Sequence, residues 1–289
     1  KMSNIFEISR QDAERVLSEA LCNGGTYADL YFEHTITNEL MLRDNKISAV
    51  ASNIDFGVGI RVLKGERTGY AYSETTDMES MLRAAKTAAQ IADSPNSKHK
   101  EIKISKEVKT NNHYPLIKGW ADTDVTYKIK YLNHLNEQIQ KRSIYVEKAN
   151  ARIADSISDI LFFNSLGETF HDVRPLVSIS AGAVMLKAGR RENGTVSRSF
   201  RCGFELLSES LMDEIADELI ARTEILFEAT RPKGGIMPVV MGAGGSGILL
   251  HEAVGHAFEA DFNRKGASIF SDKMGKKVCD SSINIVDDG

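Results

Sequence analysis

The sequence has few cysteines, no long apolar run and no excess of basic residues, and each absence argues against a class of protein. Its three cysteines, Cys22, Cys202 and Cys279, form an odd, scattered set. Such a set fits a reducing cytoplasm better than a disulfide framework. No apolar run approaches the length of a membrane span, and the N-terminus shows no signal-peptide pattern. The net charge of -4 offers no basic surface for nucleic acid. These absences predict a cytoplasmic globular protein without direct contact to nucleic acid or membrane.

Hydrophobic spacing predicts two copies of one unit, in which a helix, an antiparallel meander and a second helix follow one another. In residues 1–93, Ala13, Val16 and Leu17 form an apolar stripe at helical spacing, and segments of β character follow. The same order returns in residues 120–230, after a long polar connection. Each meander is predicted as several short strands separated by turn residues. The predicted fold class is therefore α+β, with an N-terminal domain over 1–232 and a possible internal duplication.

Composition and pattern both change at the run RPKGG, residues 231–235, which predicts a domain boundary. Residues 233–289 then form a second region. It opens with an apolar run at 236–241, predicted as a strand, and passes through a glycine cluster into a segment that carries His251, Glu252 and His256. The rest of the chain holds no comparable concentration of reactive side chains.

These three residues spell HExxxH. Neutral imidazole nitrogens bind zinc well, and a carboxylate that is not a ligand can take a proton from the attacking water. The spacing is one residue longer than HExxH, so the two histidines lie roughly 140° apart on an ideal helix. Both can reach one metal ion only if the helix is widened or broken around Val254 and Gly255. The sequence therefore predicts a zinc site together with a helix distortion.

The glycine cluster allows a second interpretation. Gly242, Gly244 and Gly247 spell GxGxxG, which is typical of a dinucleotide-binding turn between a strand and a helix. That fingerprint also needs a second strand soon after the helix, whereas this chain continues into a polar stretch. Glycines that merely let a strand turn into a buried helix are compatible with the zinc site.

The run HEAVGHAFEADFNRKGASIF, followed by VDDG at 286–289, resembles the catalytic signature of the TldD/PmbA family, also called modulators of DNA gyrase, whose members are metallopeptidases. PmbA-like members lack HExxxH, so the chain resembles the TldD-type, catalytic member. The resemblance implies His251 and His256 as zinc ligands and Glu252 as general base. It also implies an unfolded peptide as substrate, bound as an added β-strand, and a homodimer or a heterodimer with a PmbA/TldE-like subunit.

In TldD-type relatives the third zinc ligand is a cysteine of a β-rich C-terminal domain. The resemblance thus implies that residues 233–289 are only the start of that domain, so we expect a truncated chain with an incomplete metal site. Cys279 is the thiol nearest to the motif, and a variable strand residue is the alternative role for it. Glu259 and Asp261 either ligate the metal, orient a ligand histidine or face solvent. The alternative function is a non-catalytic regulatory protein that acts through protein partners.

Overall fold

The computed structural model describes residues 5–92, 101–120 and 123–286. Asp287, Asp288 and Gly289 of the VDDG sequence lie outside the described residues. The chain divides into two compact units, Lys1–Ala229 and Thr230–Gly289. Among the helices described, none has the length and the apolar character needed to cross a bilayer.

Unit 1 combines α-helices with a mainly antiparallel sheet, as the predicted α+β class requires. Its elements are, in chain order, α1 (Arg10–Ala20), β1 (Tyr27–Arg43), β2 (Lys46–Lys64), β3 (Arg67–Ser73), α2 (Met78–Ala89), β4 (Lys106–Glu107), α3 (Val125–Arg142), β5 (Val146–Asn164), β6 (Glu168–Lys187), β7 (Arg190–Phe200) and α4 (Glu209–Glu224). The order of one helix, three long or medium strands and one helix occurs twice. An internal duplication of the sequence stays a prediction.

The predicted division of each meander into several short strands is wrong, because β1, β2, β5 and β6 are continuous strands of 17 to 20 residues. The polar residues at the expected breaks are paired inside the sheet. Asn38 Nδ2 donates to Asp155 Oδ1 at 3.0 Å, and the buried Lys128 Nζ donates to Asp155 Oδ2 at 2.6 Å. Since Asn38 and Asp155 have hydrogen-bond partners, Asp155 with one from α3, they do not end the strands.

One sheet is covered by two pairs of helices. The strand order is β3-β2-β1-β5-β6, and both β7 and the short β4 pair with β6. Leu30 and Phe32 of β1 belong to the core cluster shared with α1 and α2, whereas Leu40 and Leu42 belong to the cluster shared with α3 and α4. Side chains two residues apart point to the same side of a strand, so both helix pairs cover the same face of the sheet.

Unit 2 is described as helical segments without a strand: α5 (Gly245–Ala253), a 3₁₀ turn (Gly255–Phe258) and α6 (Ala260–Arg264). The predicted strand at 236–241 has no neighbouring strand among the described residues of this unit, and a strand depends on such a neighbour for its backbone hydrogen bonds. Ile236 and Val240 of this run are fully exposed. The expected beginning of a β-rich domain is therefore not confirmed.

Candidate metal centre

The helix that carries the HExxxH sequence breaks inside the motif. Gly244 precedes α5 with a φ of 108°, a left-handed conformation that favours glycine, and α5 ends at Ala253. Val254 leaves the helical region with φ -131° and ψ -41°, and a 3₁₀ turn follows from Gly255. The predicted distortion at Val254 and Gly255 is thus confirmed, as a break rather than as a widened turn.

The break brings the two histidines and the intervening acid together. His251, Glu252 and His256 each offer one ligand atom, and these atoms all lie within 4.8 Å of one another. The two imidazole rings have centroids 4.3 Å apart and are tilted by 61°. Gly255 permits this approach, because a Cβ at that position would lie 3.2 Å from His251 Nδ1. All three side chains are exposed and open to a ligand.

His256 is held by an acid on each side. Its Nδ1 lies 2.6 Å from Glu259 Oε1, and its Nε2 lies 3.5 Å from Glu252 Oε2. The hydrogen bond to Glu259 raises the pKa of His256 above its ordinary value, and the negative charges of Glu259 and Glu252 add to the effect. With Nδ1 occupied by Glu259, Nε2 is the nitrogen that faces the cluster. Of the three roles that the sequence left open for Glu259, this contact matches the orientation of a histidine.

The turn after His256 is tied by two polar side chains that the sequence analysis missed. Asn263 Nδ2 donates to the carbonyl oxygens of Ala257 and Glu259 at 2.8 and 2.9 Å, and Ser268 Oγ also donates to Ala257. Phe258 and Phe270 stack with ring centroids 4.4 Å apart. Asn263, within the DFNRKG sequence that follows the motif, therefore fixes the backbone of Glu259, the residue that contacts His256. An asparagine so close to the motif is the sequence signal that could have indicated this role.

The other candidates for a third ligand, Cys279, Asp261 and Glu259, are not part of the ligand cluster found among the described residues. Cys279 is exposed, and the side chain of Asp261 is exposed on α6. The contacts of Glu259 are with His256. The structure thus brings together two of the sequence-predicted ligands and the predicted base, and it leaves the third ligand unassigned.

The donor set fits a zinc ion. Zinc in proteins takes imidazole nitrogens and carboxylate oxygens at about 2.0–2.2 Å, so two such donors on one ion are roughly 3.4 Å apart. Ligand atoms that already lie within 4.8 Å reach that separation by small side-chain rotations. A ligand histidine whose second nitrogen meets a carboxylate is also the usual arrangement around protein-bound zinc. His251 and His256 are therefore the residues that would hold the ion.

The dinucleotide interpretation finds less support in the geometry. Gly242, Gly244 and Gly247 do lie at the start of α5, and Ser246 Oγ donates to the Gly242 carbonyl. No strand precedes this helix among the described residues of unit 2, whereas the fingerprint requires one. In this structure the glycines lie where the chain turns into α5, the helix that carries His251.

Three domains of one protein family match the chain in order. Residues 28–92 match the PmbA/TldA metallopeptidase domain 1, residues 118–227 match the central domain, and residues 234–289 match the C-terminal domain. The last match contains His251, Glu252 and His256. Together the three matches cover most of the chain.

Curated relatives carry related names. The chain is 32% identical to a metalloprotease TldD homolog of Haemophilus influenzae, over 91% of this chain and 56% of that protein. It is 31% identical to a metalloprotease TldD homolog of Buchnera aphidicola from Acyrthosiphon pisum, over 99% of this chain and 60% of that protein. A zinc metalloprotease TldD homolog of Saccharolobus solfataricus is 24% identical over 91% of this chain and 57% of its own length. The chain therefore spans less than two thirds of the relatives it matches.

Solved structures agree with the fold. TldE from Thermococcus kodakarensis aligns with a TM-score of 0.69 at 15% identity, covering 91% of this chain and 58% of that one. A proposed modulator of a DNA gyrase from Thermotoga maritima aligns with a TM-score of 0.68 at 19% identity, with the same coverage of both chains. At these identities the likeness concerns the fold. The three ordered domain matches and the curated relatives at 31–32% identity lead to one conclusion: the chain belongs to the PmbA/TldD metallopeptidase family.

Proposed function

We propose that this chain carries two of the zinc ligands and the general base of a TldD-type peptidase. His251 and His256 bind the ion, and Glu252 takes and delivers the proton. The observation that carries the proposal is the break at Val254 and Gly255, which lets ligand atoms of all three side chains lie within 4.8 Å of one another. The name zinc metalloprotease of one relative supports the choice of metal.

Each residue has a distinct task in the proposed reaction. A bound zinc ion supplies a Lewis acid that polarises the scissile carbonyl and lowers the pKa of water. Glu252 accepts a proton from the attacking water and passes it to the leaving amine. His256 presents Nε2 to the site while Glu259 holds Nδ1 at 2.6 Å. His251 supplies the second imidazole from the last turn of α5.

The substrate and the partner follow from the family. We propose an unfolded peptide, bound through its backbone as an added β-strand, because main-chain hydrogen bonds tolerate many sequences. We also propose a cytoplasmic dimer, with a second copy or with a TldE-like subunit; a TldE structure shares this fold. A non-catalytic regulatory protein is the second candidate, and it would have no need for stoichiometric zinc.

A conservative substitution tests the role of Glu252. In a protein extended to the length of the relatives, Glu252→Gln is expected to keep its zinc and to lose hydrolysis of an unfolded peptide by about 10²–10⁴-fold, the usual contribution of a positioned acid–base group. Zinc content by mass spectrometry and peptide cleavage by chromatography measure the two properties separately.

Glu228→Gln, an exposed acid of unit 1, is the matched control and should change neither property. If Glu252→Gln loses its zinc together with its activity, Glu252 is a ligand and not the base. If the unsubstituted protein binds no zinc, the regulatory interpretation is the better one.

A further inference from the structure

A groove of about 690 Å³ lies beside the end of β3, and part of it is formed by the face of the sheet that the described helices of unit 1 leave open. Tyr31 and Glu33 of β1 line the groove. They alternate with Leu30 and Phe32, which are buried against α1 and α2, so their side chains point to the opposite face. The whole lining comes from β1, β2, β3 and the residue that follows β3, all of them in unit 1.

Tyrosine rings surround a glycine in this groove. In the sheet, Gly59 of β2 lies opposite Tyr31 of β1 on one side and opposite Tyr72 of β3 on the other. The position between these two tyrosines therefore carries no side chain of its own. A Cβ at Gly59 would lie 2.6 Å from the hydroxyl oxygen of Tyr70, so that ring reaches over the glycine. Tyr70 and Tyr72 expose 63% and 70% of their surface. We name this surface the tyrosine groove.

The lining of the tyrosine groove is acidic. It contains Glu33, Asp55 and Glu74 and no basic residue. The hydrogen bonds of the first two acids come from neutral groups: Thr35 Oγ donates to Glu33 Oε1 at 2.6 Å, and Asn53 Nδ2 donates to Asp55 Oδ2 at 3.0 Å. These contacts leave the negative charge of both carboxylates in place.

Two arginines on the same face of the sheet already have carboxylate partners outside the groove. Arg61 Nε donates to Asp29 Oδ2 at 3.0 Å, and Arg174 Nε donates to Asp172 Oδ2 at 2.8 Å. The pKa of Arg174 is raised mainly by its hydrogen bond to Asp172, and the negative charge of Glu33 contributes less. These two arginines are thus bound to acids of their own, and the tyrosine groove keeps its acidic character.

The geometry of the acids and rings suits a guanidinium group. Glu33 lies opposite Gly57, and Asp55 is two residues before that glycine, so the two carboxylates are diagonal neighbours with Cβ atoms roughly 7 Å apart. A cation near both acids would offset their repulsion. The faces of tyrosine rings attract cations, and a guanidinium can stack flat on such a ring while it donates to a carboxylate. The groove offers both kinds of contact.

We propose that the tyrosine groove binds arginine side chains of an unfolded peptide. Because Tyr70 and Tyr72 are more than half exposed, they do not enclose a small free cation, whereas a peptide gains from several such contacts at once. The three acids come from β1, β2 and the residue after β3, so more than one arginine of an extended segment can find a partner. An unfolded peptide is also the substrate of the proposed function, on which this inference rests; the groove adds a preference for basic sequences.

A matched pair of peptides tests the preference. One is a short flexible peptide of glycine and serine with several spaced arginines, and the other has citrulline, a neutral side chain of nearly the same shape, at each arginine position. Fluorescence anisotropy measures the binding of both fluorescein-labelled peptides to the 289-residue chain in the presence of EDTA. The citrulline peptide should bind about tenfold more weakly, because it forms neither ion pairs nor cation–π contacts.

Two substitutions in the groove locate the contact. Glu33→Gln and Tyr72→Leu should each weaken binding of the arginine peptide about two- to fivefold and leave binding of the citrulline peptide unchanged. Glu101→Gln and Tyr114→Leu are the matched controls, since both residues are exposed and lie outside the groove, and they should change neither affinity. Circular dichroism checks the fold of each variant.

Equal affinity for the two peptides would overturn the proposal. So would binding of the arginine peptide that is indifferent to both Glu33→Gln and Tyr72→Leu, because the basic side chains would then bind elsewhere. If spermidine binds and responds to both variants while the arginine peptide does not bind, the occupant is a free polyamine and the assignment to a peptide is wrong. Since EDTA removes zinc from these measurements, failure here leaves the zinc content and hydrolysis tested with Glu252→Gln untouched.

Discussion

At the scale of the residue, Glu259 turns an exposed histidine into an oriented one. Its carboxylate lies 2.6 Å from His256 Nδ1 and leaves Nε2 toward His251 and Glu252. Partners of this kind usually contribute to metal affinity by fixing the ring and its tautomer. We expect Glu259→Gln to lower the zinc affinity about 10–100-fold at pH 8, measured by competition with a chromophoric chelator. Asp261→Asn, on the neighbouring α6, should leave the affinity unchanged.

The same contact gives the affinity a pH dependence. The hydrogen bond to Glu259 raises the pKa of His256, so protons compete with zinc for this imidazole at a higher pH than for an ordinary histidine. Zinc affinity should therefore fall as the pH is lowered through that raised pKa. In Glu259→Gln the fall should begin at a lower pH, and the difference between the two proteins should shrink on acidification. Parallel pH profiles would contradict a role for Glu259 in holding His256.

Sequence alone singled out three residues that the structure brings together, and their catalytic roles stay a prediction. His251, Glu252 and His256 stand out by type and spacing, and the five-residue interval required a distorted helix. The sequence left several roles open for Glu259, because the direction of its side chain depends on where α6 begins. Asn263 and Ser268 were missed, since each donates to a backbone carbonyl several residues away, and such a bond depends on the path of the turn.

At the scale of the element, the strands were located but their lengths were not. Periodicity finds the alternating segments of β1 and β5, yet Asn38 and Asp155 interrupt the hydrophobic pattern. Their acceptance in the sheet depends on Lys128, which comes from α3 and reaches Asp155 at 2.6 Å. A partner from another element is not visible in a local window of sequence, so polar residues at these positions indicated breaks.

This buried pair makes a testable contribution to stability. The side chains of Lys128 and Asp155 are 7% and 1% exposed, so removing one charge strands the other away from water. We expect Lys128→Met to lower the free energy of unfolding by about 3–5 kcal/mol, measured by urea denaturation. The neighbouring Lys130, which pairs with Glu209 at the surface, provides the control; Lys130→Met should cost at most about 1 kcal/mol. Equal losses in the two variants would contradict a special role for the buried pair.

At the scale of the whole molecule, the two units differ in how they are stabilised. Unit 1 contains both buried clusters, one beneath α1 and α2 and one beneath α3 and α4. Every described residue of unit 2 is exposed or half-buried, including the apolar run at 236–241. The α+β class was predictable because the apolar residues that form the helical and strand periodicities of unit 1 are buried in its two clusters. The predicted strand of unit 2 was not found, because a pattern specifies a strand only where a neighbouring strand exists.

The composition of the metal site can be tested on this chain directly. Catalytic zinc has three protein ligands, and His251 and His256 supply two of them. We therefore expect the 289-residue chain to bind zinc weakly and to show little hydrolysis, whereas a chain extended to the length of the relatives gains both. Cys279 is exposed and outside the ligand cluster, so Cys279→Ser should leave the affinity unchanged, as should the control Cys202→Ser. Tight, stoichiometric zinc that disappears in Cys279→Ser alone would instead make Cys279 the third ligand.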